Sequence, residues 1–321
     1  MKKIAVIALW FGKLPDYFYL WTRSLERNKD YTFLLFTDQH IPAKGLPSNL
    51  KVFSYSFDQI KVTIETSLSI KPALDYSYKL CDFRPAFGEV FASHLAGYQF
   101  WGYCDIDVLF GDLSRFITPE ILATNHKIFN RGHFTLYKNE PWINQLYRSS
   151  KTINAKEIFE SPACYIFDEW HGIHQIFKEF NLSQYHQECI ADIQPNKARY
   201  TCSNIENFKK QLFIWENGAV KQYYIKNETL QSRELAYIHF KKRKIHIKDT
   251  KAFSSSSVML NAFSFIPFEG TVTIDLVKKY DQANYIHFFQ RQSGRLLDTL
   301  SRYIEQAVPI DKSLISKPID S

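Results

Sequence analysis

The chain has 321 residues, 45% hydrophobic and 23% charged, enough for one large α/β domain, or one domain plus an appendage, with an ample core. A formal charge of +7 favours polyanionic partners without demanding them, and no apolar run approaches the roughly 20 residues of a membrane-spanning helix. Five cysteines, an odd number with no Cys-x-x-Cys pair and no zinc spacing, argue against a disulfide framework and for free, buried thiols in a reducing cytoplasm.

In chain order, Ile4 to Trp10 is a continuous apolar strand ending at Phe11 and Gly12, as in parallel sheets buried on both faces. The Met1-Lys-Lys start resembles a signal peptide, but the run is short and no small-x-small cleavage site follows, so it reads as a core strand. Pro15 opens a helix over residues 16–27, with Phe18, Leu20, Trp21 and Leu25 available to its inner face. Tyr31 to Phe36 forms the second strand and ends in Thr37-Asp38. This β-α-β opening implies a right-handed crossover and a sheet of the nucleotide-binding type. A third strand at Val52–Tyr55 and a helix over Phe57–Ile70 follow the Pro42–Pro47 loop.

Lys79, Asp82 and Arg84 are polar residues in the apolar segment Tyr78–Gly88, one helix (89–96) before the stretch that organises the chain. Their ordinary role would be a solvated helix start with a local ion pair. Phe100–Asp112 reads as one buried strand carrying Asp105 and Asp107, whose side chains, two apart, fall on the same side. Two carboxylates converging at the edge of a core repel each other unless a cation joins them. Mg²⁺ or Mn²⁺ takes oxygen ligands and commonly completes its shell with substrate phosphates. By itself the Asp-x-Asp triplet is common, and a turn with Asp–backbone bonds would produce it too.

Beyond Gly111, a short helix (113–122) leads to a strand at 127–130, a turn at Asn130–His133, a strand at Phe134–Tyr137 and a helix over Trp142–Ser149. Asp168 and Glu169 sit before a helical pattern at Ile173, Ile176, Phe177 and Phe180, where an Asp ordinarily caps. Leu212–Ile225 is a hairpin turning at Asn217-Gly218 and attached to the main sheet. Glu234–Phe240 precedes the basic run Lys241–Lys244, and residues 294–308 carry a helical pattern. Residues 1–250 form one catalytic domain and 251–321 a partly helical extension.

The segments Tyr78–Gly88, Gly102–Asp107 and Asn130–Tyr137, followed by a distal His239 with basic neighbours, together resemble bacterial glycosyltransferases of the GT-A superfamily, the type encoded with capsule and lipopolysaccharide genes. The resemblance covers residues 1–250. It implies a Rossmann-like, mainly parallel mixed sheet flanked by helices, and metal-dependent transfer of galactose or glucose from a UDP-sugar to a growing surface glycan. Carried over, Asp107 is the direct ligand of Mn²⁺ or Mg²⁺, Asp105 contacts ribose or metal, and His239 supplies a third ligand. Lys241 and Lys242 face the diphosphate, and Lys79, Asp82 and Arg84 border nucleotide and sugar. Trp10, Phe11, Gly12 and Asp38 line the base and ribose pocket. Asp168 or Glu169 is the candidate general base, and His133 contacts acceptor or donor sugar. The implied partners are a UDP-hexose donor and a lipid-linked or oligosaccharide acceptor, met in the cytoplasm with peripheral contact at the inner membrane face, and no nucleic acid. Two other functions fit parts of the pattern: a nucleotidyltransferase or phosphohydrolase using the same acidic pair, and a non-catalytic module binding acidic lipid through the basic run.

Overall fold

The computed structural model describes residues 3–193, 199–241, 245, 247 and 249–279. The expected helix at 294–308, and Lys242, lie outside the described residues. Within them the chain is a mixed α/β structure with a large mixed sheet flanked by helices, as the sequence predicts. The main sheet has seven strands in the order Leu50–Ser54, Tyr31–Thr37, Ile4–Trp10, Phe100–Cys104, Phe134–Lys138, Lys127–Arg131 and Gln184–Tyr185. The first four run parallel, Phe134–Lys138 is antiparallel to its neighbours on both sides, and the last pair is again parallel.

Alternation along Ile4–Trp10 and Tyr31–Thr37 sends side chains into a core on each face of the sheet. Ala5, Ile7, Leu34 and Phe36 face Ile60, Ile64 and Leu68 of the helix Phe57–Leu68. Ile4, Val6, Ala8, Phe33 and Leu35 face Phe18, Trp21 and Leu25 of the helix Phe18–Leu25. The first of these helices starts with a capping box: Gln59 N–H donates to Ser56 Oγ (3.1 Å), and Ser56 N–H donates to Gln59 Oε1 (2.7 Å). The helix expected at 89–96 is shorter, Phe87–Val90, and runs on as turns to Gly97, whose φ of +82° is the left-handed conformation that ends them.

The acidic stretch departs from expectation. Phe100–Cys104 stops at Asp105, and Val108–Phe110 leaves for a second, four-stranded sheet ordered Tyr200–Cys202, Ile190–Ile193, Tyr237–His239, Val108–Phe110. The backbone changes partners inside the motif: Asp105 N–H donates to His133 O (3.1 Å), while Asp107 O accepts from Phe240 N–H (3.0 Å). A bend at the seam between two sheets, rather than strand alternation, therefore brings the carboxylates together.

The hairpin forms as expected, Gln211–Glu216 with Ala219–Lys226, turning at Asn217 (φ +49°) and Gly218 (φ +81°). It does not join the main sheet. It is the centre of a third sheet, ordered Thr229–Leu235, Ala219–Lys226, Gln211–Glu216, Ser257–Leu260, Phe265–Pro267. Phe213, Trp215 and Val220 pack with Leu109 and Ile238 of the second sheet, which explains the placement: the hairpin's apolar face covers that sheet. Residues after 250 supply two strands of this same sheet. All five cysteines are buried and free. Among the described residues no helix is long and apolar enough to cross a membrane.

Candidate functional site

A cavity of about 520 Å³ opens where the main and second sheets meet. It lies at the C-terminal ends of the parallel strands Ile4–Trp10 and Phe100–Cys104, the end at which open α/β sheets bind ligands. Trp10 and Phe11 enter it from the first strand, Arg84 from a short 3₁₀ turn, and Asp105 and Asp107 from the seam. His133 comes from the turn before Phe134–Lys138, Asp168 and Glu169 from the turns after residue 167, and His239 and Lys241 from the end of Tyr237–His239.

One carboxylate oxygen of Asp105, one of Asp107 and a ring nitrogen of His239 lie within 4.8 Å of one another. His239 pairs with Val108 across antiparallel strands, which sets its ring beside Asp107, with Nε2 3.5 Å from Oδ1. On its other side His239 Nδ1 meets Asp192 Oδ1 at 3.1 Å, and Lys241 Nζ meets Asp192 Oδ2 at 2.9 Å. Burial alone would lower the His239 pKa, but the Asp107 and Asp192 carboxylates outweigh it and raise it to about 10. Burial would likewise raise Asp192, yet the bond from His239 and the positive charges around it hold it down to about 2. His133 stacks on His239 with ring centroids 4.2 Å apart, and its Nδ1 meets the Tyr237 hydroxyl at 2.8 Å. Burial first, and the His239 charge second, push its pKa well below the ordinary value, so it is neutral. Asp107, His239, Asp192 and Lys241 thus form a row of alternating charge, in which Asp192 stands behind the cavity wall and the other three line it.

Arg84 organises the part of the cavity beside Asp105. Its guanidinium donates to the Gly132 carbonyl (2.5 Å) and Asp168 Oδ2 (2.8 Å), pairs with Asp105, and sits 5.1 Å over the Tyr103 ring. Asp168 is 1% exposed, and among the described residues its Oδ1 has no hydrogen-bond partner. Burial pushes its pKa up to about 7 against the pull of Arg84. A capping role does not account for it, because the helix begins at Ile173 with Gly172 at its N-cap. Gly132 fits closely here: a Cβ would come within 3.0 Å of Asp168 Oδ2 and 3.1 Å of Glu169 Oε1, so those side chains would have to shift by a few tenths of an ångström.

Lys79 and Asp82 do not reach the cavity. Both are fully buried behind it, with Lys79 Nζ donating to Asp82 Oδ2 (2.7 Å) and to the carbonyls of Ile158 (2.8 Å) and Ala163 (2.5 Å). Asp82 in turn accepts from the backbone N–H groups of Tyr165 (3.0 Å) and Phe167 (2.9 Å). The pair fastens the segment leading to Asp168 onto the turn that carries Arg84. Removing one partner of such a pair strands a buried charge, so Lys79→Met is expected to lower unfolding stability by about 3–5 kcal/mol in chemical denaturation. Asp38 is exposed, and its carboxylate accepts from Gly12 N–H (2.9 and 3.1 Å); this ties the ends of the first two strands together outside the cavity. Gly12 has φ +87°.

Three site residues escape the sequence reading: Asp192, Gly132 and Tyr103. Asp192 had a faint signal, as a lone carboxylate in the apolar run Ile190–Ile193. Tyr103 looked like core, and Gly132 like an ordinary turn glycine.

No curated protein matches the chain. Among solved structures, the apo-form glycosyltransferase GlyE of Streptococcus pneumoniae TIGR4 aligns at 16% identity and a TM-score of 0.28, over 59% of this chain and 46% of that one. A second GlyE structure from the same strain aligns at 15% identity and a TM-score of 0.27, over 49% and 42%. The chain spans less than half the length of either, and similarity this slight carries no weight for fold or function. A family model, by contrast, matches residues 6–269. Most of the chain lies within that match, and it belongs to the family of unknown function DUF6625.

Proposed function

We propose that the protein is a glycosyltransferase of the GT-A type that uses Mn²⁺ or Mg²⁺ to move a hexose, galactose or glucose, from a UDP-sugar to a lipid-linked or oligosaccharide acceptor of a bacterial surface glycan. The observation that carries this reading is the convergence of Asp105, Asp107 and His239 within 4.8 Å on the cavity wall. The two carboxylates suit either ion, and a nitrogen ligand beside them suits Mn²⁺ better than Mg²⁺. A positive charge is already favoured there, since Asp107 and Asp192 raise the His239 pKa to about 10. Once bound, the ion offsets the negative charge that develops on the departing nucleoside diphosphate.

The remaining roles fall to the chain's own groups. Trp10 and Phe11 offer ring faces to the base. Lys241 holds a diphosphate oxygen, and Arg84 orients the sugar from its fixed place between Asp105 and Asp168. Asp168, which lines the cavity, takes the proton of the acceptor hydroxyl, with a pKa suited to exchange near neutrality. Glu169 sits beside it on the same wall.

Product analysis separates this reaction from its nearest competitor. Incubation with UDP-galactose, its furanose form, UDP-glucose, and GDP- and CMP-sugars in Mn²⁺ is expected to release UDP and free or transferred hexose from one UDP-hexose. Release of UMP with hexose 1-phosphate would place the cleavage at the phosphoanhydride and assign a phosphohydrolase instead.

A further inference from the structure

We propose that Asp192 is a positioning residue that couples the metal-binding His239 to the diphosphate-binding Lys241, by gripping His239 with one carboxylate oxygen and Lys241 with the other. The inference rests on the metal-site reading above. Ile190–Ile193 runs parallel to Tyr237–His239 with His239 directly opposite Asp192, so the contact is built into the strand register. Oδ1 lies 3.1 Å from His239 Nδ1 and Oδ2 lies 2.9 Å from Lys241 Nζ, so both oxygens are engaged. The carboxylate is only 18% exposed, which limits competition from water.

The consequences are geometric. With Nδ1–H donating to Asp192, the tautomer of His239 is fixed and Nε2 is the nitrogen left to face Asp107 and an incoming ion. The same carboxylate holds Lys241, at the start of the basic run, on the cavity wall. His133 closes the ring face of His239 by stacking at 4.2 Å, so rotation of the imidazole away from Asp107 is opposed on that side too. Asp192 does not itself line the cavity, and its influence runs through the two residues it holds.

The test uses the full chain and two readouts other than turnover: Mn²⁺ affinity, from the electron paramagnetic resonance signal of the free ion, and UDP affinity in saturating Mn²⁺. Asp192→Ala is expected to weaken Mn²⁺ about 10–100-fold, the range seen when the outer partner of a ligating histidine is removed. Asp192→Asn, whose amide oxygen can still accept from Nδ1–H, is expected to lose less. Lys241→Met is expected to keep Mn²⁺ affinity within about threefold while weakening UDP, and Asp192→Ala is expected to weaken both. In the Mg²⁺-loaded wild type, ¹⁵N chemical shifts are expected to show His239 protonated on Nδ1, with that preference reduced in Asp192→Ala; a purely structural role would not move this signal. Should Asp192→Ala fail to fold, Asp192→Leu, which also removes the acceptor, decides by the same readouts. Wild-type Mn²⁺ affinity and an unchanged tautomer in folded Asp192→Ala or Asp192→Leu would overturn the inference while leaving the metal site intact. Equal Mn²⁺ binding by wild type and Asp107→Ala would overturn both.

Discussion

Replacing Asp107 with Ala is expected to weaken Mn²⁺ binding by at least about 100-fold and to remove metal-dependent nucleotide binding, with little loss of fold. The side chain is 2% exposed, yet it lines the cavity, and besides its side-chain contact with His239 the residue bonds through its backbone: Asp107 O accepts from Phe240 N–H at 3.0 Å. That bond survives the substitution. The charge balance around His239 does not. With Asp107 gone, one of the two carboxylates that hold the imidazole protonated is lost, so the His239 pKa should drop from about 10 towards its ordinary range. Nuclear magnetic resonance titration of His239 in wild type and Asp107→Ala, alongside Mn²⁺ binding, checks both effects. Retained tight Mn²⁺ binding by the variant would show that the ion is held elsewhere.

Asp168→Asn is expected to lower kcat about 10²–10⁴-fold, the range for loss of a general base, with a smaller effect on donor binding. Shape is preserved, and the amide oxygen can still accept from Arg84 Nη1, which lies 2.8 Å from Oδ2 in the wild type. In the wild type, kcat/KM should rise with pH as Asp168 loses its proton near pH 7, and this rising limb should disappear in the variant. Stability provides a second check. The folded-state pKa is raised from 3.8 to about 7, so between those values the native state holds a proton that the unfolded chain has released. The contribution is therefore fully present below about pH 4 and is lost as pH rises through about 7, by an amount on the order of 4 kcal/mol. Denaturation midpoints at pH 4.5 and 8 should show this decline in the wild type and a flatter profile in Asp168→Asn. A pH–rate limb that survives in the variant would move the base to another group, Glu169 being the adjacent carboxylate.

Much of the architecture was legible because it rests on short-range physics. The runs Ile4–Trp10 and Tyr31–Thr37 are apolar on both faces, and only a sheet covered on both sides buries such runs; Asn217-Gly218 adopts the left-handed pair its hairpin needs. What sequence could not show was where strands change partners. Asp105–Asp107 looked like the continuation of one strand because Val108, Leu109 and Phe110 are as apolar as the run before them, yet they belong to another sheet. The hairpin went to a third sheet for a similarly non-local reason, the need to cover Leu109 and Ile238.

The candidate site divides along the same line. Of the candidate residues next to a strand end, Trp10, Phe11, Asp105, Asp107 and His239 reach the cavity, whereas Gly12 and Asp38, also at strand ends, bond to each other outside it. Lys79 and Asp82 were indistinguishable from Arg84 by type and spacing, but a difference of a few residues on a tight turn sends Arg84 into the cavity and the other two into the core behind it. Asp192 stands 47 positions before His239 in the chain, with no local signature to link the two. Only the pairing of their strands, which sets one opposite the other, reveals it.

The most direct measurement is isothermal titration calorimetry of the wild-type chain with UDP, GDP and CMP, each with and without Mn²⁺. UDP binding that requires Mn²⁺, with GDP and CMP at least tenfold weaker, is the result expected of a metal-dependent UDP-sugar transferase. Tight binding of none of the three under either condition would contradict the donor site and shift attention to the basic run beginning at Lys241 as a surface for acidic lipid.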